Sequence, residues 1–134
     1  MAIHLEFLLP RRPVSHQSKS SSNRQRWKDF VRDEARKAWG ARAALAAPCQ
    51  LTLVYFYLEN PADIDNIIKP IQDALVGLVY EDDFYVTDVD SHRRLLTGSF
   101  DSTRLSPVVL QALALAQECV YVRVSSSLPI EFYL

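Results

Sequence analysis

Residues 63–83 hold five aspartates and one lysine, Asp63, Asp65, Lys69, Asp73, Asp82 and Asp83, at spacings that suit metal-assisted phosphate chemistry. Phosphodiester hydrolysis needs a water made nucleophilic at neutral pH and positive charge against the phosphate. Mg2+ supplies both, and it takes oxygen ligands, with waters completing an octahedron. Asp63, Asp65 and Asp83 are the candidate ligands, with Asp82 a helper. Lys69 could hold the scissile phosphate or offset charge that develops on it. Asn66 and Asp73 would stand behind these groups or serve the fold. Taken singly, each residue has a plainer reading. Asp63 and Asp65 are good helix caps, Lys69 and Asp65 make an ordinary i,i+4 pair, and Asp82-Asp83 suits a turn. Caps and turns do not require the whole conjunction of spacings, which favours the metal reading.

A helix must carry most of these groups. Ile64, Ile67, Ile68, Ile71, Leu75, Leu78 and Val79 recur at helical spacing and mark a buried face. Asp65, Lys69 and Asp73, four apart, line a different one. The two carboxylate groups could meet only if that helix is short or the next strand runs back beside it. Pro70 lacks an N–H and disfavours helical geometry at Lys69, which predicts a kink or a loosened first turn. Upstream, Gln50–Leu58 is nearly all apolar and rich in β-branched and aromatic residues, as a strand covered on both faces would be. Downstream, Phe84–His92 alternates weakly and reads as an edge strand, with Arg93 and Arg94 at its far end as candidate DNA contacts.

The remaining elements frame this centre. Ile3–Leu9 alternates as a half-buried strand. Arg11–Asn23 is Ser-rich and basic without periodicity, which predicts a mobile loop. A helix is predicted over Arg24–Leu45, another from Ser106-Pro107 to Glu118, a last strand over Val120–Val124 and a tail from Pro129. The order β-α-β-α-β-α-β implies an α+β fold, a small mixed sheet of about four strands with helices packed against it. A length of 134 residues, 49% hydrophobic and 23% charged, suits one domain over 1–134. No segment reads as a signal peptide or a membrane span. Cys49 and Cys119 each lie in an apolar run and read as buried thiols of a cytoplasmic protein. His4, His16 and His92 have no ligand-like spacing.

The formal net charge of −1 hides an asymmetry. Residues 1–42 carry 10 Lys/Arg against 4 Asp/Glu, and residues 43–134 carry 5 against 12. A basic cradle beside an acidic site fits a nucleic-acid partner. Arg11, Arg12, Lys19, Arg24, Arg26 and Lys28 are its candidate phosphate contacts.

The spacing D-x-D-N-x-x-K-x-x-x-D-A-L-x-G-x4-D-D, read from Asp63 through Gly77 to Asp82-Asp83, resembles the signature of the RusA family of Holliday junction resolvases. The resemblance implies a Mg2+-dependent endonuclease, with Mn2+ a substitute, acting on branched DNA as a homodimer. By motif position, the family's metal-binding aspartates fall on Asp63, Asp65 and Asp83. Two other readings compete: a catalytically idle junction-binding protein on the same scaffold, and a small-molecule metal phosphohydrolase. The second leaves the basic residues of 11–42 without purpose.

Overall fold

A computed structural model describes residues 1–134. Four strands, β1 (Ile3–Leu9), β2 (Cys49–Tyr57), β3 (Val86–Leu95) and β4 (Cys119–Ser126), form one mixed sheet in the order β1-β4-β2-β3. β4 runs antiparallel to both β1 and β2, while β3 lies parallel to β2 on an open edge. With α1 (Ser21–Trp39), α2 (Ile68–Ala74) and α3 (Pro107–Leu115), the fold is α+β, in the predicted order of elements. β2 is an interior strand and β3 an edge strand, as their hydrophobic patterns require.

Alternate residues of the strands feed two cores. Leu51, Leu53 and Tyr55 of β2 and Val120, Val122 and Val124 of β4 face Trp27, Val31, Ala35 and Trp39 of α1, together with Ile67, Ile71 and Leu75. On the other face, Phe56, Cys119 and Tyr121 pack against Ala112 of α3. Cys49 belongs to the first core and Cys119 to the second, both as free thiols.

Besides α3, which ends at Leu115 rather than Glu118, three boundaries differ from the sequence reading. α1 starts at Ser21 rather than Arg24, because the Ser20 hydroxyl accepts the Asn23 N–H, and it ends at Gly40 (φ 70°) rather than Leu45. The segment before it is tied down rather than loose: the His16 N–H donates to the Asn66 carbonyl at 2.8 Å. The motif helix is shorter than its apolar spacing suggests. A 3-10 turn over Ile64–Ile67 passes into α2, which ends at Ala74. Pro70 sits at the third residue of α2, where the missing N–H is unpaired in any helix, so the strain is relieved by the change of helix type just before it. Beyond Ala74 the chain turns at Gly77 (φ 78°), and Leu75, Val79 and Tyr80 fold back into the core. Arg32 of α1 closes the end of α2, donating to the carbonyls of Ala74 (3.1 Å) and Val76 (2.7 Å).

Candidate active site

The acidic motif leaves the C-terminal end of β2 and returns beside β3 on the α1/α2 face of the sheet. Its backbone is fastened from several sides. The Arg93 guanidinium of β3 donates to the Ala62 carbonyl (3.0 Å), the Ser91 hydroxyl to the Ile64 carbonyl (3.3 Å), and the His16 N–H to Asn66. Asp63 and Asp65 project from this pinned stretch into solvent.

Neither aspartate spends its carboxylate on the fold. Asp63 stands at the cap position of the 3-10 turn but makes no side-chain cap bond. Its carboxylate is 77% exposed, and its one ionic neighbour is Arg93 at 3.8 Å. Asp65 makes no pair with Lys69, which instead holds Asp73 at 2.9 Å. At the start of β3, Asp82 does serve the turn, accepting the Asp83 N–H at 2.8 Å. Asp83 is half-buried, and no donor reaches its carboxylate. Of the chain's aspartates, Asp65 and Asp83 alone lack a side-chain partner. Asp29, Asp33, Asp73, Asp82, Asp88, Asp90 and Asp101 all have close ones.

Lys69 lies between the two acidic groups in the sequence. The hydrogen bond it donates to Asp73 raises its pKa first, the charge of Asp73 adds to this, and Asp83 contributes a smaller push. The ammonium therefore stays charged throughout the neutral range. Its coupling to Asp83 links the far acidic group to the helix, but no three acidic, His or Cys side chains are gathered tightly enough to grip a metal ion unaided. The donor chemistry still fits a hard divalent cation. Mg2+ commonly binds through one or two carboxylates plus waters and substrate phosphate, and unpaired aspartates offer those oxygens.

The basic residues divide by what already occupies them. The Arg12 guanidinium is taken up by Glu118 and by the carbonyls of Glu59 and Asn60. Arg11 lies over the Phe30 ring, 3.8 Å from its centroid. Arg93 is committed to Ala62 and Asp63, and Arg94 donates to the Arg93 carbonyl. Arg24 reaches the Ser18 carbonyl. Lys19, Arg26 and Lys28 have no anionic partner within the chain. A cleft of about 250 Å³ lies between the start of α1 and α2, lined by His16, Ser21, Arg24, Gln25, Lys28, Pro70 and Asp73. It brings the basic end of α1 to the side of the Lys69–Asp73 pair. His16, without ligand-like spacing in the sequence, gains a place here through the fold.

Two contributors had no signal in the sequence. Ser91 and Glu118 reach the motif or the loop leading to it only because β3 runs past the motif and β4 starts beside that loop.

No curated protein matches the chain. The family described as Endodeoxyribonuclease RusA matches residues 9–98, which span β1's last residue, α1, β2, the acidic motif and β3. That match covers most of the chain and all of its candidate site, so the chain belongs to the RusA family of endodeoxyribonucleases, the Holliday junction resolvases.

Proposed function

We propose that this chain cleaves branched DNA, four-way junctions foremost, by divalent-cation-dependent hydrolysis of paired phosphodiester bonds. The observation that carries the reading is the pattern of unpaired acids: Asp65 and Asp83 have no internal partner and Asp63 has only Arg93 at 3.8 Å, and these are the three motif positions at which the family resemblance expects metal-binding aspartates. Mg2+, or Mn2+ in its place, supplies an acidified water and charge against the phosphate when these oxygens hold it. The residues do the rest. Lys69, fixed by Asp73, offers a permanent positive charge to a phosphate oxygen. The cleft at His16, Arg24 and Lys28 receives a neighbouring backbone phosphate, while Lys19 and Arg26 extend the basic surface. A DNA substrate and two buried thiols suit a reducing cytoplasm.

The test is a labelled four-way junction with Mg2+ and with chelator. Nicking should need the metal, and Asp65→Asn or Asp83→Asn should each lower it at least ~100-fold while junction binding persists. Near-normal cutting by either variant in saturating Mg2+ would remove that residue from the ligand set. Tight binding with no nicking by the unaltered protein would favour an idle junction-binding scaffold.

Two opposed cuts call for two sites, and one chain has one acidic motif. A C2 homodimer matches the two-fold character of a four-way junction and is the commonest oligomer. The exposed Phe84 and the tail residues Ile130, Phe132 and Leu134 are available for such contact. Sedimentation at micromolar concentration should return twice the 15.3 kDa chain mass; a monomer that makes paired nicks would overturn the dimer.

A further inference from the structure

We propose that Glu118 and Arg12 form a clamp that positions the metal-binding segment, Glu118 lying outside the part of the chain that the family match covers. The inference rests on the metal-dependent nuclease reading above.

Glu118 stands immediately before β4, with its side chain only 12% exposed. Its carboxylate accepts the Tyr55 hydroxyl from β2, the Leu58 N–H at 3.3 Å, and the Arg12 guanidinium at 3.1 Å. Arg12 then reaches across to the carbonyls of Glu59 (2.9 Å) and Asn60. Burial and the Glu118 hydrogen bond hold the Tyr55 phenol far above its usual range, so it remains a donor. One carboxylate and one guanidinium thus secure three consecutive residues, Leu58, Glu59 and Asn60, between the last residue of β2 and Asp63. Asn60 is left-handed (φ 43°), a conformation that Asn tolerates better than most residues and that the two flanking bonds hold in place.

The chemistry needs such a device. Asp63 has no cap bond to orient it, and the next anchor downstream is Arg93 at the Ala62 carbonyl. A loop free to swing at 58–60 would leave Asp63 without a fixed direction, at an entropic cost to every binding event. Groups behind metal ligands that fix their direction commonly set metal affinity rather than the bond-breaking step. Glu118 and Arg12 are therefore positioning residues.

The test uses the full chain, with Mn2+ as a spin probe in the absence of DNA and hydrogen exchange at the 58–62 amides, those of Leu58, Glu59, Asn60 and Ala62. Glu118→Gln removes the charge and keeps the shape. It should weaken Mn2+ binding about tenfold, speed exchange at 58–62, and raise the Mg2+ needed for half-maximal nicking more than it lowers the rate at saturating Mg2+. Arg12→Lys, which keeps the charge but loses the fork, should show the same pattern more weakly, and it decides the matter if Glu118→Gln does not fold. Unchanged Mn2+ affinity in a folded variant overturns the proposal, whatever exchange shows. If the unaltered protein binds no Mn2+, the metal reading fails; exchange then decides the clamp, faster at 58–62 supporting it and unchanged refuting it.

Discussion

At the scale of single residues, the informative property is which side chains the fold leaves unused. Lys69 illustrates the converse. Its bond to Asp73 costs it no charge and fixes the ammonium on the exposed side of α2, beside the acids rather than paired to Asp65. Lys69→Ala should therefore lower the rate of junction cleavage by about 10²-fold, as loss of one fixed charge-stabilising group does elsewhere, with a smaller change in junction affinity. A loss confined to binding, measured by single-turnover nicking and gel shift together, would reduce Lys69 to a phosphate anchor. Because its pKa is raised, its charge persists above the ordinary lysine range, so no alkaline fall in rate below that range belongs to it.

At the scale of elements, the proposed DNA surface is built from α1 and the start of α2. Arg26 and Lys28 lack partners, and Arg24 adds its charge at the cleft. Replacing all three with Gln should weaken binding to every sequence alike and flatten the plot of log affinity against log salt by a slope of about one per lost contact. An unchanged slope would take this face out of the interface. Elements also show what could be read in advance. β2 was legible because a strand covered on both faces must be apolar throughout, and β3 because an edge strand tolerates Asp88, Asp90 and Arg94. The length of α2 was not. Leu75, Leu78 and Val79 continue a helical rhythm, yet burial within a turn demands apolar residues as much as a helix face does. The aspartates of the candidate site stand out by their spacing alone, whereas Glu118 does not, since only the pairing of β4 with β2 brings it to Leu58.

For the molecule as a whole, burial has a common sign across the weak acids of the core. Cys49 and Cys119 are each pushed up to about 11 by desolvation, and Tyr121 up to about 12 by desolvation with help from Glu6. Tyr55 and Tyr80 are raised further still, again mainly by burial. Each group is neutral in the native core and more acidic in the unfolded chain. Its contribution is thus fully present below the unfolded pKa and is lost as pH rises through the folded one. Urea midpoints should hold between pH 7 and 8.5 and fall from about pH 9 upward as the unfolded thiols and then the phenols ionise. A midpoint flat to pH 11 would show that these groups are not buried as described.

The strand order β1-β4-β2-β3 has a consequence in time. β1 and β2 never touch; the last strand made, β4, is wedged between them, so that Ile3 must wait for Ser125. As the chain leaves the ribosome, α1, β2, α2 and β3 emerge with the acidic motif among them, but Glu118 and β4 have yet to be synthesised. β1 and β2 then carry unpaired edges through most of synthesis, a state prone to association with other chains. A nascent chain stalled before residue 118 should accordingly remain open to protease and lack the clamp, so competence for DNA cleavage would arrive only with the final strand.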